Sequence, residues 1–278
     1  MTPSNRMNAL FRAACFLFLC CIAFAAVYPN LFMLFSSLKT SVDFINSPLS
    51  LPNEWYFDNF KALYYRFSLV NLYGNTAFCV ATALFFSLLL SLPSASAFAK
   101  MRFRYRRPLY VTMIAAMMIP GITFILPDFL LISKLGLVDH LIAVTIIWTV
   151  TSIPGNVFLL ASLMRGLPNE VLEAVKIDGG NYYQLMAHVV VPISLPGIFT
   201  VAIFNATGWW NDLLTPLIFL QSDANKTMTV AVATILGRFS SDFPLLLTGM
   251  LLTSLPTVIL YILLQGFIRK GLVIGAVK

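Results

Sequence analysis

The sequence predicts an all-α membrane protein with six membrane-spanning helices, and three observations carry this prediction. The 278 residues are 59% hydrophobic and only 10% charged, whereas soluble globular domains are about 45–50% apolar and about 25% charged. Long stretches without charge recur along the chain, and the basic residues are distributed unevenly among the segments between them. This composition excludes a soluble cytoplasmic enzyme, a disordered regulator and a nucleic-acid-binding module.

The charge-free stretches predict the individual spans, because a helix that crosses the bilayer needs about 20 predominantly apolar residues. Windows of this length without Asp, Glu, Lys or Arg comprise residues 13–38, 67–99, 108–127, 140–164, 179–211 and 243–268. The fifth window begins with polar residues, so we expect its span to start near Val189 and to pass Asp212 only if that carboxylate faces protein or water. Five prolines are expected to interrupt the spans: Pro120, Pro127, Pro154, Pro196 and Pro256.

The distribution of charge predicts the orientation of these spans. If the N-terminus is cytoplasmic, twelve of the 18 basic residues and three of the 11 acidic residues lie inside, for a net charge of +9 inside and −2 outside. The positive-inside rule therefore favours cytoplasmic N and C termini. The cluster from Lys100 to Arg107 contributes most to this prediction.

The first apolar stretch has an alternative interpretation as a signal peptide. Arg6 and Arg12 precede it, and Ala23-Phe24-Ala25 resembles a cleavage site. The apolar run continues past Leu34, however, and is longer than the usual h-region of about 7–15 residues. We therefore expect an uncleaved first helix; cleavage would leave five spans with the same orientation.

Residue patterns for catalysis and for metal binding are missing from the sequence. All four cysteines fall in predicted spans without C-x-x-C spacing, and the two histidines are far apart. There is no G-x-x-x-x-G-K-[ST] loop to hold ATP phosphates. Only Asp128 and Asp212 are candidate intramembrane charges, which weakens the alternative of an ion-coupled secondary transporter. We expect no enzyme, no metal site and no cofactor bound by this chain.

Residues 165–188 form the longest polar segment on the predicted inner side. Pro168 suits the first turn of a helix, and Glu170 places negative charge near the positive N-terminal end. Val171, Leu172 and Val175 recur at helical spacing, and the helix is expected to stop at Asp178-Gly179-Gly180, where glycine tolerates positive φ. A second short helical stretch, residues 182–188, leads into the fifth span. The segment could be a simple connecting loop. The more specific interpretation is a docking element for a cytoplasmic partner.

At this segment the chain resembles the EAA loop of bacterial ABC-importer permeases. The family pattern is Glu-Ala-Ala, three residues, Gly, nine residues and Ile-x-Leu-Pro; here the matching residues are Glu173-Ala174-Val175, Gly179 and Val189-x-Val191-Pro192. The three valines depart from the pattern, each toward another apolar residue. The flanking Leu167-Pro168 and the final run 267–278 are similar to the carbohydrate branch, in particular to the smaller subunit of the maltose permease.

The resemblance implies a type I ABC-importer permease fold in the bacterial inner membrane. The division it implies is a first helix and extracytoplasmic loop over 1–66, a permease core over 67–268 that contains the EAA loop 165–188, and a cytoplasmic tail over 269–278. The implied partners are a second homologous permease subunit, two ATPase subunits that carry ATP and Mg, an extracytoplasmic solute-binding protein and the lipid bilayer, with no nucleic acid. The residues implied to couple the chain to ATPase subunits are Glu170, Glu173, Ala174, Val175, Asp178 and Gly179.

Two further sets of residues are candidates for contact with cargo or with the binding protein. Tryptophan faces stack on sugar rings, and amide or carboxylate groups bind hydroxyls, so Asn205, Trp209, Trp210, Asn211 and Asp212 are a candidate substrate pathway; an interfacial aromatic belt with packing polar groups is the alternative. In the resembling family the loop after this span contacts the solute-binding protein, here through Ser222, Asp223, Ala224, Asn225 and Lys226. The cargo is expected to be a sugar or oligosaccharide, with another polar solute such as a glycerol phosphate as the alternative.

Overall fold

The computed structural model describes residues 3–235 and 242–276, and every regular element in these two ranges is helical. The α-helices are α1 (Pro3–Ser37), α2 (Ser41–Asn46), α3 (Asp58–Phe67), α4 (Leu69–Lys100), α5 (Arg106–Ala116), α6 (Ile125–Lys134), α7 (Leu141–Arg165), α8 (Asn169–Ile177), α9 (Tyr182–Leu185), α10 (Val191–Trp210), α11 (Leu214–Phe219), α12 (Met228–Ala233) and α13 (Phe243–Ala276). A 3₁₀ turn at Gly121–Phe124 precedes α6, and a π turn at Met186–Val190 precedes α10. The predicted all-α membrane fold is confirmed.

Five helices in the described ranges are long and apolar enough to cross a membrane, and a sixth span exists if one bent pair is counted as one. That pair is α5 with the 3₁₀ turn and α6, which meet at 88°. The expectation that Pro120 interrupts the span over 108–127 is therefore confirmed. The break covers residues 117–120 and ends at Pro120, because proline disfavours helical backbone in the preceding residue and has no N–H to donate.

The other four prolines do not break a helix. Pro154, Pro196 and Pro256 lie inside the continuous helices α7, α10 and α13, and Pro127 lies in the first turn of α6. The expectation of a discontinuous helix at these prolines is wrong, whereas the expectation of a bend there stays a prediction. A proline in the first turn is tolerated because the N–H groups there have no helical partner. The last helix also runs to Ala276, beyond the predicted end of the sixth span at residue 268.

The helix that forms the fifth span begins at Tyr182, earlier than the predicted start near Val189. Asn181 and Gln184 form a capping box: Gln184 N donates to Asn181 Oδ1 at 2.9 Å, and Asn181 N donates to Gln184 Oε1 at 2.8 Å. The helix then passes through the π turn, where Val191 N donates to Met186 O five residues earlier. The polar residues that argued against a span are thus the cap of the same helix.

The chain divides into two compact units, Met1–Ser68 with Val232–Ser254, and Leu69–Ala231 with Leu255–Lys278. The second unit is built on α4, α7 and α10, with α4 and α7 packed along their length and α10 against both. Small residues allow this close approach: Ala83 on α4 and Ala143 and Ala161 on α7 are fully buried. All the candidate site residues of the sequence analysis lie in this unit. The predicted division at residues 66 and 268 stays a prediction.

The first unit is organised around a buried lysine. Lys39 is fully buried, and its Nζ donates to Ser47 O at 2.7 Å, to Pro48 O at 3.3 Å and to Ser50 Oγ at 3.2 Å. Asn59 Nδ2 donates to the Lys39 carbonyl at 2.8 Å. An ammonium group is stable in this position only because its donors are satisfied. By contrast, the described side chains of α1 are exposed from residue 11 to residue 31.

Candidate functional site

The segment 165–188, called here the coupling segment, is fixed to the core of the second unit by apolar side chains on one face. Leu172 of α8 is 8% exposed and belongs to the same buried cluster as Leu160 of α7 and Val190 of the π turn. Leu167 and Leu185, on either side of α8, pack against this cluster. Tyr182 also donates from its hydroxyl to Pro93 O of α4 at 3.3 Å. The segment is therefore a packed element rather than a free loop.

The opposite face of the coupling segment is exposed and mixes acidic with apolar side chains. Glu170, Glu173 and Ile177 lie three and four residues apart in α8, so they share one helix face. Both glutamates are exposed, Ile177 is 85% exposed, and Tyr183 of α9 is 81% exposed. Apolar side chains presented in this way beside charges are typical of a surface that contacts another protein.

Two glycines set the turn between α8 and α9. Gly179 has φ +76°, and Gly180 N donates to Val175 O at 2.8 Å, which closes α8 with a Schellman motif. A Cβ on Gly180 would lie 2.6 Å from Val175 Cγ1 and 2.9 Å from Val175 O, whereas a Cβ on Gly179 would meet nothing within 4 Å. The predicted helix stop with positive φ at Gly179 is confirmed. Asp178 is exposed before it, and the Ala174 side chain lies outside the described part.

Basic residues bind the carbonyl groups at the ends of two core helices, beside the coupling segment. Lys100 Nζ donates to Arg165 O at 3.1 Å and to Leu167 O at 2.5 Å, at the end of α7. Arg106 donates to Phe98 O at 2.9 Å from Nε and to Ala99 O at 3.2 Å from Nη2, at the end of α4. Cations are favourable there because the last carbonyls of a helix lack partners and carry partial negative charge. From the sequence, these residues served only to predict the orientation of the spans.

The predicted substrate pathway contains two residues that are occupied by contacts within the protein. Trp209 is 8% exposed and stacks on Trp148 of α7, with ring centroids 5.7 Å apart and planes at 4°. Trp148 Nε1 donates to Asp212 Oδ2 at 2.7 Å, and Asp212 Oδ1 accepts from Leu214 N at 3.0 Å. The carboxylate thus faces protein, at the junction of α10 and α11. Trp148, the partner of both residues, is missing from the sequence-based candidates.

The remaining pathway candidates are more accessible. Asn205 is half-buried, and its Nδ2 donates to Asn156 Oδ1 at 2.8 Å. Trp210 is half-buried beside Tyr73, with ring centroids 6.1 Å apart, and Asn211 is exposed. These contacts describe where the candidates lie; their contact with cargo stays a prediction.

The loop over residues 221–227 is held by an aspartate that sequence reasoning missed. Asp139 Oδ1 accepts from Gln221 N and Ser222 N, both at 2.9 Å, and from Ser222 Oγ at 3.1 Å, while Asn225 Nδ2 donates to Asp139 O at 2.5 Å. The Ser222 N–H contributes most to lowering the pKa of the Asp139 carboxyl below its usual 3.8.

Further contacts fix the far side of this loop. Asn75 Nδ2 of α4 donates to Ala224 O at 2.8 Å and to Lys226 O at 3.0 Å, and Lys226 pairs with Asp223 at 2.6 Å. Asp223 and Ala224 are exposed at the tip, whereas Ser222, Asn225 and Lys226 are half-buried. The anchor Asp139 has a φ of +63°, and as a lone acidic residue between two helices it gave no local signal in the sequence.

Comparison with known proteins assigns the family. Residues 87–271, more than half of the chain, match the binding-protein-dependent transport system inner membrane components. The chain belongs to this family. The protein is therefore a multi-pass permease of the inner membrane, as the EAA-like pattern and the apolar spans predicted. Within the described residues, no three His, Cys, Asp or Glu side chains come together as a metal site in this permease.

Relatives with carbohydrate cargo resemble the permease over nearly its whole length. The arabinooligosaccharides transport system permease protein of Halalkalibacterium halodurans is 32% identical over 264 residues, 92% of this chain and 93% of that protein. The melibiose/raffinose/stachyose import permease protein of Bacillus subtilis is 30% identical over 259 residues, again 92% and 93%. Both relatives are named for the transport of sugars or oligosaccharides.

A solved structure shares the fold. In the crystal structure of a bacterial ABC transporter involved in the import of the acidic polysaccharide alginate, one chain superposes on the permease with a TM-score of 0.81. The likeness covers 96% of this chain and 99% of that chain at 20% sequence identity. At this identity the comparison shows the fold alone, and it confirms the predicted ABC-importer permease fold.

Proposed function

We propose that the permease carries a sugar or oligosaccharide through the inner membrane, and that separate ATPase subunits drive this transport through the coupling segment. The partners in this proposal are a second, homologous permease, two ATPase subunits that bind ATP and Mg, and an extracytoplasmic solute-binding protein that delivers the cargo. The chain itself contributes no ATPase site. The carbohydrate relatives support the class of cargo, and the geometry of the coupling segment supports the coupling.

The observation that carries the proposal is the two-sided character of α8. Leu172 fixes the helix to the core, while Glu173 and Ile177 are presented outward together with Tyr183. Exposed Ile and Tyr side chains next to carboxylates fit a groove with an apolar floor and a basic rim. The ATPase surface in this proposal therefore has an apolar floor and a basic rim.

The same geometry provides a path from the docking face to the core helices. The helix that begins at Tyr182 continues into α10, so a displacement of the coupling segment moves α10 without an intervening flexible loop. Lys100 links the start of the segment to the end of α4 through the Leu167 carbonyl. ATP-driven movement of the ATPase pair would therefore reach α4 and α10 together.

The test is a pair of substitutions on the exposed face, Glu173→Lys and Ile177→Asp. Each is expected to weaken binding of the ATPase subunits by about 30-fold or more, the loss of about 2 kcal/mol that a hot-spot residue gives. Uptake and copurification of ATPase subunits would fall, while membrane insertion of the permease is unchanged. Glu54→Lys, an exposed charge reversal in the first unit, is the matched control. Wild-type uptake with both variants would overturn the proposal.

Substrate contact is proposed for the accessible part of the pathway. Asn205, Trp210 and Asn211 present polar and aromatic groups. Trp209 and Asp212 instead contact Trp148 within the protein. Asn211→Ala is expected to reduce the maximal uptake rate at saturating binding protein, with unchanged thermal stability. An unchanged uptake rate in both Asn211→Ala and Trp210→Ala would contradict this assignment.

Contact with the solute-binding protein is proposed for the tip of the 221–227 loop. Ala224 is exposed there, and only its backbone oxygen is used to anchor the loop. Ala224→Arg therefore adds bulk to the proposed interface without removing an anchor. The expected result is a higher concentration of binding protein at half-maximal uptake, and an unchanged value would contradict the contact.

A further inference from the structure

The turn between α4 and α5 together with the first two residues of α5, residues 101–107 and called here the basic turn, carries more positive charge than its structural role requires. Together with Lys100 it places five basic residues within eight positions. Two of the five, Lys100 and Arg106, donate to backbone carbonyls at the ends of α7 and α4. These two residues fix the turn to the core helices.

The other three arginines of the basic turn are exposed, and the described part of the chain offers them no salt-bridge partner. Arg102, Arg104 and Arg107 are all exposed, and no Asp or Glu in the part of the chain that the structure describes forms a salt bridge with them. Three guanidinium groups on one short turn repel one another. Such an arrangement is favourable when a polyanionic surface faces it.

Aromatic side chains alternate with these arginines. Phe103 is 40% exposed and Tyr105 is 58% exposed, and Arg104 Cζ lies 5.3 Å from the centroid of the Tyr105 ring. The turn directly follows a 32-residue apolar helix and precedes the first half of the bent pair, so it lies where the chain leaves the hydrocarbon core. Aromatic rings and arginine stems are typical of that depth, where rings sit among headgroups and guanidinium groups reach the phosphates.

We infer that Arg102, Arg104 and Arg107 bind the phosphate groups of anionic phospholipids at the membrane surface. A guanidinium group donates two parallel hydrogen bonds to a phosphate, and clusters of basic residues next to a membrane helix bind anionic lipids. Lipid bound here lies next to Lys100, which holds the Leu167 carbonyl at the start of the coupling segment. The composition of the bilayer thus acts on the part of the permease that we propose to contact the ATPase.

The test measures lipid preference of the full-length permease in its assembled complex. The complex is reconstituted in phosphatidylcholine nanodiscs. We then compare how readily a fluorescent phosphatidylglycerol probe and a phosphatidylcholine probe are displaced from the protein. Each Arg→Gln substitution is expected to weaken the preference for phosphatidylglycerol about five-fold, and the triple variant of Arg102, Arg104 and Arg107 on the order of a hundred-fold. High salt is expected to reduce the wild-type preference.

Two controls separate charge, position and folding. The triple Arg→Lys variant keeps the charge and is expected to keep most of the preference. Lys134→Gln, at the exposed end of α6, is expected to leave it unchanged. The single variant Arg104→Gln gives a measurable five-fold change even if the triple variant does not fold, since within the described residues Arg104 forms no hydrogen bond to a backbone carbonyl.

Three outcomes would overturn the inference. The first is an unchanged phosphatidylglycerol preference in the triple Gln variant and in Arg104→Gln. The second is full displacement of the lipid probe by millimolar inorganic phosphate, because the arginines would then form a site for free phosphate. The third is loss of the ATPase subunits with unchanged lipid preference, because the basic turn would then contact protein. The failure of Glu173→Lys to affect coupling would leave the lipid result untouched.

Discussion

Replacement of Asp139 tests whether one side chain holds the 221–227 loop in place. Its carboxylate accepts three hydrogen bonds from Gln221 and Ser222, and its backbone has a φ of +63°. Asn keeps one acceptor oxygen and tolerates positive φ, Gly keeps only the tolerance, and Ala keeps neither. The three variants therefore separate the charge, the acceptor and the backbone conformation.

The expected losses follow from the number of contacts that each variant removes. A net contribution of about 1 kcal/mol for each of three hydrogen bonds gives about 3 kcal/mol for Asp139→Gly. Asp139→Ala adds about 1 kcal/mol for the left-handed backbone and reaches about 4 kcal/mol. Asp139→Asn loses the charge but keeps the carbonyl acceptor, so about 1 kcal/mol is expected.

Trypsin cleavage after Lys226 measures the opening of this loop. The Lys226 side chain is 12% exposed in the closed loop, whereas that of Lys61 is 69% exposed and provides the internal control. When opening is fast relative to cleavage, the rate follows the open population. About five-fold faster cleavage is expected for Asp139→Asn, and on the order of several hundred-fold for Asp139→Ala. Equal rates in Asn, Gly and Ala variants, or a change at Lys61 as well, would refute the reasoning.

The same carboxylate gives a pH prediction with a definite sign. Its hydrogen bonds lower the pKa of Asp139 in the folded protein, so its contribution is complete above the usual value of 3.8 and is lost as pH falls through the lowered pKa. Between about pH 5 and 8 the ratio of cleavage rates between Asp139→Asn and wild type should therefore be constant. A steady change of that ratio across this range would assign the effect to another group.

Four further substitutions test the fold and the coupling segment. Gly179→Asn should keep uptake because Asn tolerates positive φ, whereas Gly180→Ala should impair it, since its Cβ would lie within 2.9 Å of a backbone oxygen; the opposite order would contradict the Schellman turn. Lys39→Met should lower the melting temperature in detergent by about 5 °C, from the loss of about 2 kcal/mol of hydrogen bonding; an unchanged value would contradict the buried ammonium. Asp212→Ala should cost about 2 kcal/mol because the indole N–H of Trp148 loses its acceptor, and the loss should be smaller in a Trp148→Phe background; additive losses would refute the pair.

The features that could be predicted from the sequence are those that depend on a few consecutive residues. The spans follow from local composition, and the stop of α8 follows from Gly179, whose positive φ needs no distant partner. The cap at Asn181 and Gln184 is equally local, but the same residues were interpreted as too polar for a helix that enters the membrane. The predicted helical stretch over 182–188 is confirmed, and the helix continues from it into the fifth span.

The features that could not be predicted require a partner distant in sequence. Asp139 lies 83 residues from Ser222, and Trp148 lies 64 residues from Asp212. A lone carboxylate near the end of a span looks the same whether it faces a substrate, a loop or water. The stacked Trp148 and Trp209 explain why an aromatic and acidic cluster that looked like a sugar site is partly a structural contact.

The basic residues illustrate how one pattern serves two physical purposes. Counted by side, they predict orientation, and that count treats every lysine and arginine alike. The structure separates them: Lys100 and Arg106 bind carbonyl groups at the ends of core helices, while Arg102, Arg104 and Arg107 form no such bond within the described residues. Arg102, Arg104 and Arg107 are exposed, so they can face the anionic headgroups that we propose outside the chain. Membrane orientation and lipid binding can therefore be tested separately at this turn. Arg→Gln substitutions at the three exposed positions would weaken lipid binding, while Lys100 and Arg106 still supply the positive charge that favours the orientation.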